Sequence, residues 1–94
     1  MEDRILTQHP QGKAGVNISR TKYATIKAAI LETLRTDGDA TFEDLVRRVE
    51  HRLTGSFDGS IPWYVTTVKL DLEVRGLIER VPQSNPQRLR VIGE

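Results

Sequence analysis

The chain has 94 residues, of which 37% are hydrophobic and 29% charged, with 14 basic side chains against 13 acidic ones and no cysteine. That length supports a single core, and the composition is that of an ordinary globular domain, which excludes fibrous and disordered classes. The missing cysteines exclude disulfides, thiolate catalysis and cysteine-based zinc sites, and fit a reducing compartment.

Residues 1–19 read as an N-terminal arm ahead of a domain spanning residues 20–94. The start Met1-Glu2-Asp3-Arg4 lacks the basic opening and apolar stretch of a secretory signal, and no apolar run approaches the roughly 20 residues of a membrane span, so a cytoplasmic protein with no membrane partner is expected. Pro10, Gly12 and Gly15 punctuate the arm, while the pairs Ile5/Leu6 and Val16/Ile18 are compatible with short strands. The tetrapeptide Gly12-Lys13-Ala14-Gly15 fails as a nucleotide loop: Thr7 stands where the leading glycine belongs and Ala14 where Ser or Thr should bind magnesium. It reads as a turn.

Ser19 is a suitable N-cap for a first helix that runs to about Thr36, with Tyr23, Ile26, Ile30 and Leu34 on one face and Gly38 as its stop. Lys27, at the edge of that face, should pack its stem and keep its ammonium in water. Thr41 and Asp44 open a second helix, whose stripe is Phe42, Leu45, Val46, Val49 and Leu53. On its polar side Glu43 and Asp44 precede Arg47 and Arg48 by four residues, the favoured orientation for helix ion pairs.

A seven-residue connection, Thr54 to Ser60, leads to a third helix capped by Ser60, with Pro62 tolerated in its first turn. Ile61, Tyr64, Val65, Val68 and Leu72 share its core face, and Gly76 ends it. Beyond, Leu77–Val81 pairs with Arg88–Ile92 across a turn-rich stretch, Pro82-Gln83-Ser84-Asn85-Pro86-Gln87. Three amphipathic helices sharing a core with one hairpin give an α+β fold, mostly α.

The block Leu70-Asp71-Leu72-Glu73-Val74-Arg75-Gly76-Leu77-Ile78-Glu79-Arg80, followed by Arg88-Leu89-Arg90-Val91, resembles the recognition helix and wing of bacterial winged helix-turn-helix regulators over roughly residues 20–93. His9-Pro10-Gln11-Gly12-Lys13-Ala14-Gly15, taken with Trp63-Tyr64-Val65, is similar to a family of small uncharacterised bacterial proteins. The winged-helix resemblance implies binding of duplex DNA, with the third helix in the major groove and the hairpin wing on the backbone.

On that reading Thr66, Thr67 and Lys69 face bases or phosphates, and Arg88 and Arg90, alternating with Leu89 and Val91, project from the solvent face of the wing. Lys13, Arg20 and Lys22 add a second basic set if the arm lies on the same side. Charge is distributed accordingly: residues 1–27 hold five basic and two acidic side chains, residues 28–60 four and seven, residues 61–94 five and four. Positive potential therefore gathers at the two ends of the chain.

Two features oppose the DNA reading. Asp71 and Glu73 cancel Lys69 and Arg75 on the third helix, and Trp63, Thr67, Leu70 and Val74 form a second apolar stripe opposite the core. Such a stripe asks for a cover. Wing residues Leu89 and Val91, the arm's Ile5, Leu6, Val16 or Ile18, or a second subunit are the candidates. The alternative function is therefore an interaction or homodimerisation module using Trp63, Leu70 and Val74, with Trp63 as anchor. His9 and His51 lie on separate segments without nucleophile or third partner, so no enzyme activity, cofactor or metal is expected.

Overall fold

The computed structural model describes residues 3–13 and 15–92. Ala14 of the expected turn, and the outermost two residues at each end of the expected arm and domain, lie outside the described residues. Strand β1 (Arg4–Leu6) and strand β2 (Asn17–Ser19) form an antiparallel hairpin with Ile5 opposite Ile18. Helix α1 (Arg20–Asp37), strand β3 (Ala40–Thr41), helix α2 (Phe42–Leu53), helix α3 (Ile61–Val74), strand β4 (Ile78–Arg80) and strand β5 (Arg88–Val91) follow. The molecule is an α+β fold, about half helical, with three helices and two small antiparallel sheets.

The helices begin where side chains satisfy the orphan N–H groups of a first turn. Ser19 Oγ accepts from Lys22 N–H, Thr41 Oγ1 from Asp44 N–H and Ser60 Oγ from Trp63 N–H. Helix α3 closes in a Schellman motif: Leu77 N–H donates to Leu72 C=O at 3.0 Å and Gly76 N–H to Glu73 C=O at 3.2 Å. This requires the left-handed φ of +75° that Gly76 adopts.

The core is built from the expected faces. Ile26 and Ile30 of α1, Leu45 and Val49 of α2, and Val65, Val68 and Leu72 of α3 are fully buried, closed over by Ile78 and Leu89 of the sheet. Burial of each such side chain stabilises the fold by about 1.5–3 kcal/mol, which makes this cluster the dominant favourable contribution. Ile18 of β2 belongs to it, and Ile5 packs against it. Ile5 and Ile18 of the first hairpin therefore serve the same core as the helices, whereas Leu6 and Val16 are exposed.

Three details differ from the sequence reading. The second sheet has three strands in the order β3-β5-β4, because Ala40 and Thr41 pair with Leu89 and Arg88. A two-residue strand offers no periodicity, and Thr41 doubles as the cap of α2. Secondly, Asp44 pairs with Arg47 one turn on, while Arg48 reaches back to Asp37 at 2.8 Å, at the end of α1. The acid near the last carbonyls of α1 draws Arg48 away from its own helix. Thirdly, Leu89 and Val91 of the β4–β5 hairpin are not the cover of the outer stripe of α3: Leu89 is buried in the core and Val91 packs against it.

Candidate functional site

Helix α3 has four distinct sides. At about 100° per residue, Val65, Val68 and Leu72 point into the core, and Trp63, Thr67, Leu70 and Val74 point away from it. Trp63 is 45% exposed and Val74 41%, whereas Thr67 and Leu70 are half-buried. Pro62 and Thr66 border this outer face on the flank that also carries Glu73, and Thr66 Oγ1 donates back to Pro62 C=O at 2.9 Å. None of these six side chains is ionisable.

Asp71 and Glu73 occupy the two remaining sides, about 160° apart across the outer face. Asp71 is 0% exposed. Its Oδ1 accepts the backbone N–H of Gln8 at 2.9 Å, and its Oδ2 accepts the Tyr23 hydroxyl and Arg75 Nε, the latter at 2.7 Å. A buried carboxylate needs such donors, because leaving it unpaired would cost several kcal/mol. Burial, followed by the hydrogen bond and charge of Asp71, pushes the Tyr23 hydroxyl from its ordinary 10.0 up to about 12. The hydrogen bond to Asp71 likewise raises Arg75 above its usual range.

The Asp71 bond to Gln8 docks the first hairpin on α3. Thr7, itself buried, continues that hairpin: its N–H donates to Val16 C=O and its Oγ1 accepts Val16 N–H, both at 2.9 Å. Gly15 passes so near that a Cβ there would lie 1.6 Å from Thr7 O. No side chain fits at that crossing.

On the opposite side, Glu73 draws in the second hairpin. Its Oε1 accepts Arg80 Nε at 2.9 Å, and its Oε2 faces Lys69 Nζ at 3.3 Å. The side chains of Lys69 and Glu73 are only 13% and 10% exposed, and the Lys69 ammonium lies 5.8 Å from the centre of the Phe42 ring. The two acids of α3 are thus struts, one to each hairpin, and neither contributes a carboxylate to the outer face.

The residues expected to meet DNA divide into two groups. Thr67 lies on the outer face and Thr66 at its border, and Arg88 and Lys13 are exposed on the two hairpins with no ion pair among the described residues. Four others are engaged. Lys69 is held by Glu73, and Arg90 Nε contacts Glu79 Oε2 at 2.6 Å, its directly opposite residue across β4 and β5. Arg20 lies 3.9 Å from Asp3 and donates to Arg4 C=O. Lys22 places its ammonium 5.6 Å from the Tyr64 ring and 6.0 Å from that of Phe57.

The interface candidates Trp63, Leu70 and Val74 do share one face. The Trp63 ring packs edge-on against Tyr64 with centroids 4.9 Å apart. The arm does not bury Trp63, because Ile18 is committed to the core while Leu6 and Val16 are themselves exposed. Among the described residues, no group of three metal-ligating side chains converges and no helix is long and apolar enough to cross a membrane. His9 is fixed in the arm loop, where its Nδ1 accepts Gln11 N–H at 3.1 Å.

Sequence reasoning missed Asp71 as a structural centre. One signal was present: Tyr23 lies on the core face of α1, and a buried tyrosine hydroxyl requires a partner.

Residues 4–89 match the family model described as Family of unknown function (DUF6958), and the chain belongs to that family. No curated protein and no solved structure matches it.

Proposed function

We propose that the chain is a winged helix-turn-helix module that binds duplex DNA, with the outer face of α3 in the major groove and the β4–β5 hairpin on the adjacent backbone. The element order supports the reading: three helices, with a short strand between the first two, followed by a hairpin that completes a sheet of order β3-β5-β4. One observation carries it. The carboxylates that sequence places on α3 are withdrawn into the fold, Asp71 at 0% exposure and Glu73 against Arg80 and Lys69. The outer face therefore brings no negative charge to a polyanion.

Thr66 and Thr67 suit hydroxyl and methyl contacts with base edges, and Leu70 and Val74 suit thymine methyls. Arg88, exposed at the start of β5, supplies a phosphate contact. With so few unpaired cations, binding should be modest at physiological salt, with a shallow salt slope of about 0.9 per phosphate contact. The test is a titration of Trp63 fluorescence with mixed-sequence duplex at several salt concentrations. Saturable binding that weakens as salt is raised supports the proposal; no change at low salt removes it.

The exposure of Trp63 and Val74 favours a second reading, in which a second copy of the chain or a protein partner covers the stripe. Sedimentation of wild type and Trp63→Ala over a range of concentrations separates the two. A concentration-dependent dimer abolished by the substitution favours self-association, and monomers in both cases leave it unsupported.

A further inference from the structure

We infer that the tip of the β1–β2 hairpin, residues 9–13, is a second backbone-contacting element that grips duplex DNA on the side of α3 opposite the β4–β5 hairpin, with Lys13 as its charged contact. The inference rests on the duplex-DNA reading of α3 and extends it to a segment outside the three-helix core.

Position comes first. Gln8 is bonded to Asp71 and Arg80 to Glu73, so the two hairpins are attached to opposite flanks of α3, with the uncharged outer face between them. Gly12 N–H donates to His9 C=O at 3.0 Å, closing a turn. Adding that turn to the steps on either side keeps the Lys13 Cα within roughly 15 Å of the Gln8 Cα. A helix about 10–12 Å across lying in a groove about 12 Å wide has a phosphate ridge on each flank, and the hairpin tip stands within reach of one of them.

The tip is also preorganised. Thr7 and Val16 lock its base through two hydrogen bonds, Gly15 is seated against Thr7 O, and Gln11 N–H is tied to His9 Nδ1. A loop already fixed in shape loses little freedom on binding. With Nδ1 of His9 engaged as an acceptor, Nε2 is the ring nitrogen left to donate to a phosphate oxygen.

Charge points the same way. No acidic residue occurs between Asp3 and Glu32, whereas Arg4, Lys13, Arg20, Lys22 and Lys27 fall in that interval. Lys69, Arg80 and Arg90 are each held by a carboxylate; Lys13 is exposed and meets none among the described residues.

The test is the salt dependence of duplex binding by wild type, Lys13→Ala, Arg88→Ala, the double variant, and Arg52→Ala as a charge-matched control on α2. All three substituted positions, Lys13, Arg52 and Arg88, are exposed, so the fold is retained, as circular dichroism will verify. Lys13→Ala is expected to lower the slope of log K against log salt by about 0.9, so that the affinity lost between 50 and 200 mM salt shrinks about 3.5-fold. The double variant should lose about twice that slope, and Arg52→Ala should lose none. If Arg88→Ala lowers the slope while Lys13→Ala behaves like Arg52→Ala, the second contact is wrong and the α3 reading stands. If wild type does not bind duplex at all, both fall together.

Discussion

Replacing Asp71 with Asn changes almost no volume yet should destabilise the protein severely, because three donors converge on that carboxylate from three parts of the chain: Gln8 N–H, the Tyr23 hydroxyl and Arg75 Nε. An amide offers one acceptor oxygen. If it faces Tyr23 and Arg75, the NH2 group opposes Gln8 N–H; if it faces Gln8, the NH2 group opposes the guanidinium, and only the tyrosine hydroxyl can rotate to accept. Losing a charge-assisted bond costs about 1.5–3 kcal/mol, and a buried unsatisfied donor adds about 1–3 kcal/mol. Arg75 can relax toward water, since its side chain is 36% exposed. The net expectation is a loss of about 2–4 kcal/mol, or about 10–25 °C in Tm for a domain of this size. Urea unfolding followed by far-ultraviolet circular dichroism measures it. A change below about 0.5 kcal/mol would refute the role assigned to Asp71. Tyr23→Phe in the Asp71→Asn background should cost less than in wild type, because the two substitutions remove one shared interaction.

Tyr23 also provides a pH signature. An unfolded tyrosine ionises near 10 and folded Tyr23 at about 12, so its contribution to stability is complete below pH 10 and is lost as pH climbs from 10 to 12. Alkaline unfolding of wild type should therefore steepen across that window by an amount on the order of 2–3 kcal/mol, and Tyr23→Phe should remove the steepening. Gly15→Ala should destabilise by more than about 2 kcal/mol and accelerate amide exchange at Val16, since the added Cβ meets Thr7 O. Gly12→Ala, with open space around its Cβ but a φ of +71°, should cost only about 1–2 kcal/mol. In duplex titrations Arg88→Ala should reduce the salt slope by about one, whereas Arg90→Ala should reduce it less, because Glu79 already neutralises that guanidinium.

Much of the fold was legible because it is encoded locally. Ser19, Thr41 and Ser60 mark the three helix starts by the bonds they accept, and Gly76 ends α3 through a conformation that other residues resist. The helical stripes named the core. What was hidden depends on distant partners: the Gln8 contribution to Asp71 is a backbone N–H, which no side-chain pattern announces, and it joins residues 63 positions apart. The site was misread for the same reason. Asp71 and Glu73 look like solvated charges at helical spacing, and only the docking of two hairpins turns them inward. Lys69 illustrates the converse, since a lysine expected at the groove packs over Phe42 and ends on Glu73.

The central claim, that α3 presents a carboxylate-free face between two hairpins for a DNA duplex, is tested most directly by mapping amide chemical-shift changes in the labelled protein as a short mixed-sequence duplex is added. The account predicts shifts concentrated at Trp63, Thr66, Thr67 and Leu70, with further groups around Lys13 and Arg88. Shifts centred on α2, at Arg47, Arg48 and Arg52, or none at all at low salt, would contradict it.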